Sequence, residues 1–228
     1  MINQFDQYKE QILKTNPLSQ TMVYDYDKWI KWLKDSLGTE LCVLNKEFKG
    51  SISRKNLIDY AEKVNKDKSE EQCTQLFLAC MMWGYGGDSS KNIDHRGPYR
   101  VKKIFNSSDE VKKAIHEAFC CISKNDIENA FQELLTVKGL SISFLSKFLY
   151  FASRGCKVEE YALIFDVRVA KSIVKFNSIQ KDLIDIVIVT PSISYDKFKK
   201  YLNFVHELAK RYKCEAENIE LFLFEQAG

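Results

Sequence analysis

Proline and glycine are scarce in this chain, with 3 and 9 in 228 residues. So few turn-forming residues exclude a turn-rich β-sandwich, while 45% hydrophobic and 29% charged residues exclude a disordered chain. What remains is a mostly helical globular protein with enough apolar residues for a large core. Metal-ligand patterns are missing too. The seven cysteines form no CxxC pair and the three histidines no His-x-x-x-His pair, so no zinc site is expected. The cysteines, odd in number and set in apolar stretches such as Leu76–Trp83, read as reduced core residues of a reducing compartment. No stretch approaches the ~18 apolar residues of a membrane span. The amino end, Met1-Ile2-Asn3-Gln4-Phe5-Asp6, has neither the basic nor the apolar part of a secretion signal, and a cytoplasmic location without membrane contact is expected. A net charge of +3 permits a nucleic-acid partner without requiring one.

Hydrophobic periodicity predicts amphipathic helices over 4–14 and 21–37, an ambiguous strand or loop over 39–52, and helices over 55–64 and from Ser69 to Trp83. The segment 84–103 breaks the pattern. It is rich in glycine and cations, and reads either as a mobile surface loop or as a backbone-tracking element with Arg96, Arg100 and Lys102 on DNA and Tyr85 or Tyr99 as a wedge. Ser107 and Glu110 have capping-box spacing, and Ser123 opens a further helix. The β-branched run 184–189 reads as a strand or a buried helix end, and helices are predicted over 194–212 and 215–224. Trp29 and Trp32 cannot share one helical face, which leaves one as a candidate partner surface, and His206 falls on a solvated face. No linker divides the chain. Residues 1–228 are read as one unit, in which 1–68 complete the core of a region 69–228 with a helical hairpin at about 126–153.

One pairing carries chemistry. Lys147 lies in the aromatic run Phe144-Leu145-Ser146-Lys147-Phe148-Leu149-Tyr150-Phe151, nineteen positions before Asp166, which opens the next helical run. A free lysine has a pKa of about 10.4 and is protonated, but desolvation among rings lowers that value and turns the amine into a nucleophile. A carboxylate at a helix start can offset positive charge developing on a sugar, and can equally be a plain N-cap.

With Leu134-Leu135-Thr136-Val137-Lys138-Gly139 ahead of them, these residues resemble the helix-hairpin-helix superfamily of DNA glycosylases. Within it they resemble the 8-oxoguanine DNA glycosylases, in which a Leu-x-Gly-x-Gly hairpin precedes a Thr-Lys pair and an Asp nineteen residues later in Val-Asp-x-x-Val. Ser146-Lys147 and Phe165-Asp166-Val167-Arg168-Val169 occupy the last two places. Glu220-Leu221-Phe222-Leu223-Phe224 is similar to the segment with which that family reads and stacks on the flipped base. The resemblance covers roughly residues 70–225 and implies the compact prokaryotic type, a two-lobed helical fold with little or no sheet and no amino-terminal β-domain. It further implies a bifunctional glycosylase and AP lyase for an oxidised purine. Lys147 and Asp166 would be catalytic, Phe144, Phe151, Phe224 and Glu220 the base pocket, and Gly139, Ser141, Ser143 and Arg168 contacts to the DNA backbone. The implied partner is double-stranded DNA with one base flipped, bound by a monomer with room for a protein partner. No cofactor is implied beyond a monovalent cation at the hairpin. Two departures stand out: Ser141 replaces the second hairpin glycine, and the segment before Asp166 has no proline.

Blander readings stand beside these. Lysines on helices are usually solvated, Phe151 and Phe224 fit an ordinary core, and Glu220 fits a solvated face. A catalytically silent DNA- or protein-binding module, such as part of an antiviral defence system, and a helical assembly protein are the alternatives to an enzyme.

Overall fold

The computed structural model describes residues 2–86, 96–176 and 193–226. The fold is mostly α. After a 3-10 turn at Ile2–Tyr8 come α1 (Lys9–Lys14), β1 (Thr21–Val23), α2 (Tyr26–Phe48), β2 (Ser51–Ser53), α3 (Arg54–Asp67), α4 (Glu70–Tyr85), α5 (Arg96–Ile104), α6 (Ser108–Ser123) and α7 (Ile127–Leu135). The chain continues through α8 (Ile142–Gly155), α9 (Val167–Phe176), α10 (Tyr195–Tyr212) and α11 (Ala216–Glu225). Among the described residues the sheet is one antiparallel pair, with Met22 opposite Ile52.

Two helices form the centre. Helix α4 is buried on every face from Cys73 to Trp83, and α8 from Leu145 to Ser153, the composition expected of helices surrounded by protein. Helices α3, α4, α6 and α7 all pack on α8. The amino-terminal residues join this core through Ile12, Trp29, Leu33, Leu57 and Ala61. At the other end α11 packs against α9, α10 and α1. No helix among the described residues is long and apolar enough to cross a membrane.

Several local expectations are corrected. The helix expected over 4–14 begins as a 3-10 turn, and the one expected over 21–37 begins at Tyr26, because Thr21–Val23 pair with Ser51–Ser53. Its predecessor's end is marked only by non-helical Leu37, next to Gly38, and helix resumes through most of 39–52 to Phe48. The basic segment 84–103 is not all loop: α5 occupies Arg96–Ile104, and residues 87–95, with Lys91 and His95, lie outside the described residues. Ser107 makes no side-chain cap, and the cap of α7 is Asp126, whose carboxylate accepts from the Asn129 amide, while Ser123 ends α6. Trp32 packs edge-on against Tyr99 instead of standing free, and His206 is half-buried, with Nε2 2.9 Å from the Tyr161 carbonyl. The run 184–189 lies outside the described residues.

Candidate active site

The hairpin between α7 and α8 turns at Gly139, whose φ of +87° is in the left-handed region open to glycine. The turn lifts the chain so that Ser141 precedes the first turn of α8, though its hydroxyl makes no cap. Lys147 follows on the buried side of α8 and is 7% exposed. Its Nζ donates to the Ser143 Oγ at 3.0 Å and the Ser143 carbonyl at 3.2 Å, and lies 5.3 Å from the Phe144 ring centroid. Phe144 in turn stacks on Tyr85 at 4.2 Å. Helix α4 reaches this spot through Gly84. A Cβ there would sit 2.6 Å from a Phe144 ring carbon and 3.0 Å from the Lys147 Cδ.

Asp166 is brought opposite by an extended segment, residues 161–166, fastened to α8 by two serines. The Ser146 Oγ accepts from the Phe165 amide at 3.0 Å, and the Ser153 Oγ accepts from the Ala162 amide at 3.0 Å. These hydroxyls are seven residues apart, two helical turns, and so face the same way. Tyr201 of α10 completes the attachment by donating to the Ile164 carbonyl at 2.8 Å. Serine bonds thus hold the approach to Asp166, which has no proline to stiffen it. The Asp166 Oδ1 accepts from the Arg168 and Val169 amides at 2.9 and 3.1 Å, capping α9, and Oδ2 lies 3.7 Å from Lys147 Nζ. Cap and ion-pair partner are one residue.

Lys147 and Asp166 open on a cavity of about 310 Å³. Its wall includes Arg168, Phe224, Trp83, Gly84, Arg54 and Glu220. Arg168 lies over the Phe224 ring at 4.4 Å. Glu220 is not on a solvated face: it is fully buried, and Arg54 donates to both its oxygens, at 2.5 and 3.2 Å. Burial is the largest influence on Lys147 and lowers its pKa; Asp166 and Glu220 oppose that shift, and Arg54 adds to it.

Other expected site residues are placed differently. Phe151, one turn beyond Lys147, is fully buried and packs edge-on against Trp83 at 5.2 Å, so it backs the cavity wall through Trp83 and does not line it. The Ser143 hydroxyl accepts from Lys147 Nζ at 3.0 Å. Arg100 and Lys102 are exposed on α5, Lys102 lying 5.9 Å from the Trp32 ring, while the Arg96 side chain is outside the described residues. Gly139 lines a separate cleft with Lys103 and Lys138. Arg54, Gln20 and Trp83 were not anticipated. Arg54 sits in Ser51-Ile52-Ser53-Arg54-Lys55, which reads as an ordinary helix start. Ser146 and Ser153 could have been noticed, being polar residues seven apart on an otherwise apolar helix.

No curated protein and no solved structure matches the chain. A family model does, the one described as "Putative 8-oxoguanine DNA glycosylase OGG-like protein", and it matches residues 15–224. That span takes in the Arg54 wall, the hairpin, Lys147, Asp166 and Phe224, and the chain belongs to this OGG-like DNA glycosylase family.

Proposed function

We propose that this protein excises an oxidised purine from duplex DNA and then cleaves the strand, using Lys147 as nucleophile. The observation that carries the reading is the placing of a buried amine 3.7 Å from a carboxylate at the mouth of a cavity of about 310 Å³. That volume is at the small end of the range for ligand sites, ~300–1,000 Å³, and suits one everted nucleoside.

The geometry supports the following residue roles. The neutral Lys147 amine attacks C1′ and the N-glycosidic bond breaks, its electron pair leaving with the base, which takes up a proton. The resulting secondary ammonium gives up a proton, the nitrogen lone pair opens the sugar ring to an iminium as O4′ takes up a proton, and loss of a C2′ proton lets β-elimination expel the 3′ phosphate. Asp166 stabilises the positive charge that builds on the sugar, and Ser143 holds Nζ in place beforehand. Phe224 offers the base a face, and the Glu220 carboxylate accepts from its N–H groups. The hairpin around Gly139, the amino end of α8, Arg168, Arg100 and Lys102 suit the phosphate backbone, and a monovalent cation at the hairpin fits the same reading.

Borohydride trapping on an 8-oxoguanine duplex tests the proposal. Wild type is expected to cross-link and Lys147→Gln not to; trapping that persists in Lys147→Gln removes the lysine from the mechanism. Salt-sensitive duplex binding with no base release would instead favour a silent DNA-binding module.

A further inference from the structure

The cavity wall holds a second cation, to which the steps above give no direct part. Arg54, at the start of α3, is 1% exposed and held on all sides. Its Nε donates to the Gln20 Oε1 at 2.7 Å, Nη1 and Nη2 donate to the two Glu220 oxygens, and its guanidinium lies 5.4 Å from the Trp83 ring and 5.2 Å from the Tyr150 ring. Tyr150 is fixed from behind by donating to Glu217.

A guanidinium does not give up its proton in a protein. Of the carboxylates among the described residues, Glu220 is the one that pairs with it, at 2.5 Å, so Arg54 favours the ionised form of Glu220. Burial, the largest influence, and Asp166 leave its pKa raised on balance, while Arg54 and, to a smaller extent, Lys147 hold it down. Tyr201 of α10 faces the same group. An anionic carboxylate only accepts hydrogen bonds, whereas a carboxylic acid also donates one. With one lone-pair direction on each oxygen taken by Arg54, Glu220 keeps acceptor capacity and a fixed orientation on the cavity wall.

We propose that Arg54 is a positioning residue for base selection: by holding Glu220 ionised and oriented, it makes the cavity prefer bases that present N–H donors over bases that present a bare ring nitrogen. This rests on the glycosylase reading above. It assigns a role to residues 17–54, which supply Arg54 and Gln20 and carry no motif of their own.

The test compares release of 8-oxoguanine, which presents N1–H and an amino group, with release of 8-oxoadenine, which presents a bare N1, and with incision at a preformed abasic site. In Arg54→Met the 8-oxoguanine to 8-oxoadenine ratio is expected to fall by about tenfold or more. Abasic-site incision, which reads no base, should fall much less. In a Glu220→Gln background, with no carboxylate to hold, Arg54→Met should change the ratio by less than about twofold. Infrared difference spectra against Glu220→Gln should show an ionised Glu220 in wild type and a protonated one in Arg54→Met. Equal loss on all three substrates, or a carboxylate that stays ionised without Arg54, overturns the proposal. Should Arg54→Met fail to fold, Arg54→Lys, which keeps the charge but not the two-point grip, is expected to lower the ratio, and an unchanged ratio overturns the proposal. If wild type releases neither base, the glycosylase reading fails, and the infrared comparison still decides whether Arg54 governs Glu220.

Discussion

The hydroxyl of Ser146 accepts a hydrogen bond from the Phe165 amide at 3.0 Å, and these two residues are the chain neighbours of Lys147 and Asp166. The bond spans the same nineteen positions that separate amine and carboxylate, so it sets the distance between them. Ser146→Ala leaves the buried Phe165 amide without that acceptor, at a cost of about 1–3 kcal/mol. Thermal denaturation should show the loss, and borohydride trapping should weaken more than the melting temperature alone explains. Trapping at the wild-type rate would mean that α8 and α9 hold the pair without this bond.

Lys147 predicts two pH effects. Burial lowers its pKa from the ordinary lysine value, against the opposing pull of Asp166. The neutral amine attacks, so the trapping rate should rise with pH and level off below the ~10.4 of free lysine. Between the lowered folded-state pKa and the ordinary value, the unfolded chain binds more protons than the folded one, so stability rises with pH across that window. Lys147→Met should lose this slope and, below the window, be the more stable protein by about 1 kcal/mol. Urea denaturation at a series of pH values checks both.

Asp166 holds two roles that substitution can separate. Asp166→Asn keeps an oxygen for the Arg168 and Val169 amides but removes the charge beside Lys147. Its stability should stay within about 0.5 kcal/mol of wild type while base release drops by ~100-fold or more. Asp166→Ala should lose about 1 kcal/mol in addition. Equal rates in Asp166→Asn and wild type would reduce Asp166 to a helix cap.

Gly84 acts through space. Its missing side chain leaves room for Phe144 and for the Lys147 stem, and a Cβ would meet both inside ordinary contact distance. Gly84→Ala should cost about 1–3 kcal/mol through overpacking. It should also slow trapping about tenfold, since small displacements of a reacting group are expensive. A variant that melts lower yet traps normally would show that Phe144 alone gives way.

Exposed cations on α5 should act differently. Arg100→Ala or Lys102→Ala is expected to weaken duplex binding alike for lesion and plain DNA, and to reduce the slope of log affinity against log salt by about 1. A loss confined to lesion-bearing duplex would place these residues in base recognition instead.

The sequence by itself determined the helical class, the starts of α3, α4, α10 and α11 to within one residue, and the pairing of Lys147 with Asp166. The first two rest on apolar spacing between neighbours along the chain, and the third on a nineteen-residue interval that resembles a family motif. Tertiary structure decided the rest. Glu220 looked like a solvated glutamate until Arg54, 166 positions away, was found bonded to it. Phe151 stands one turn beyond Lys147 and yet faces Trp83. The helical stretch within 39–52 and the pairing of Thr21–Val23 with Ser51–Ser53 likewise depend on partners the local pattern does not contain. A buried charge is legible only with its counter-ion, and which residues from distant segments share a wall is settled by packing, not by periodicity.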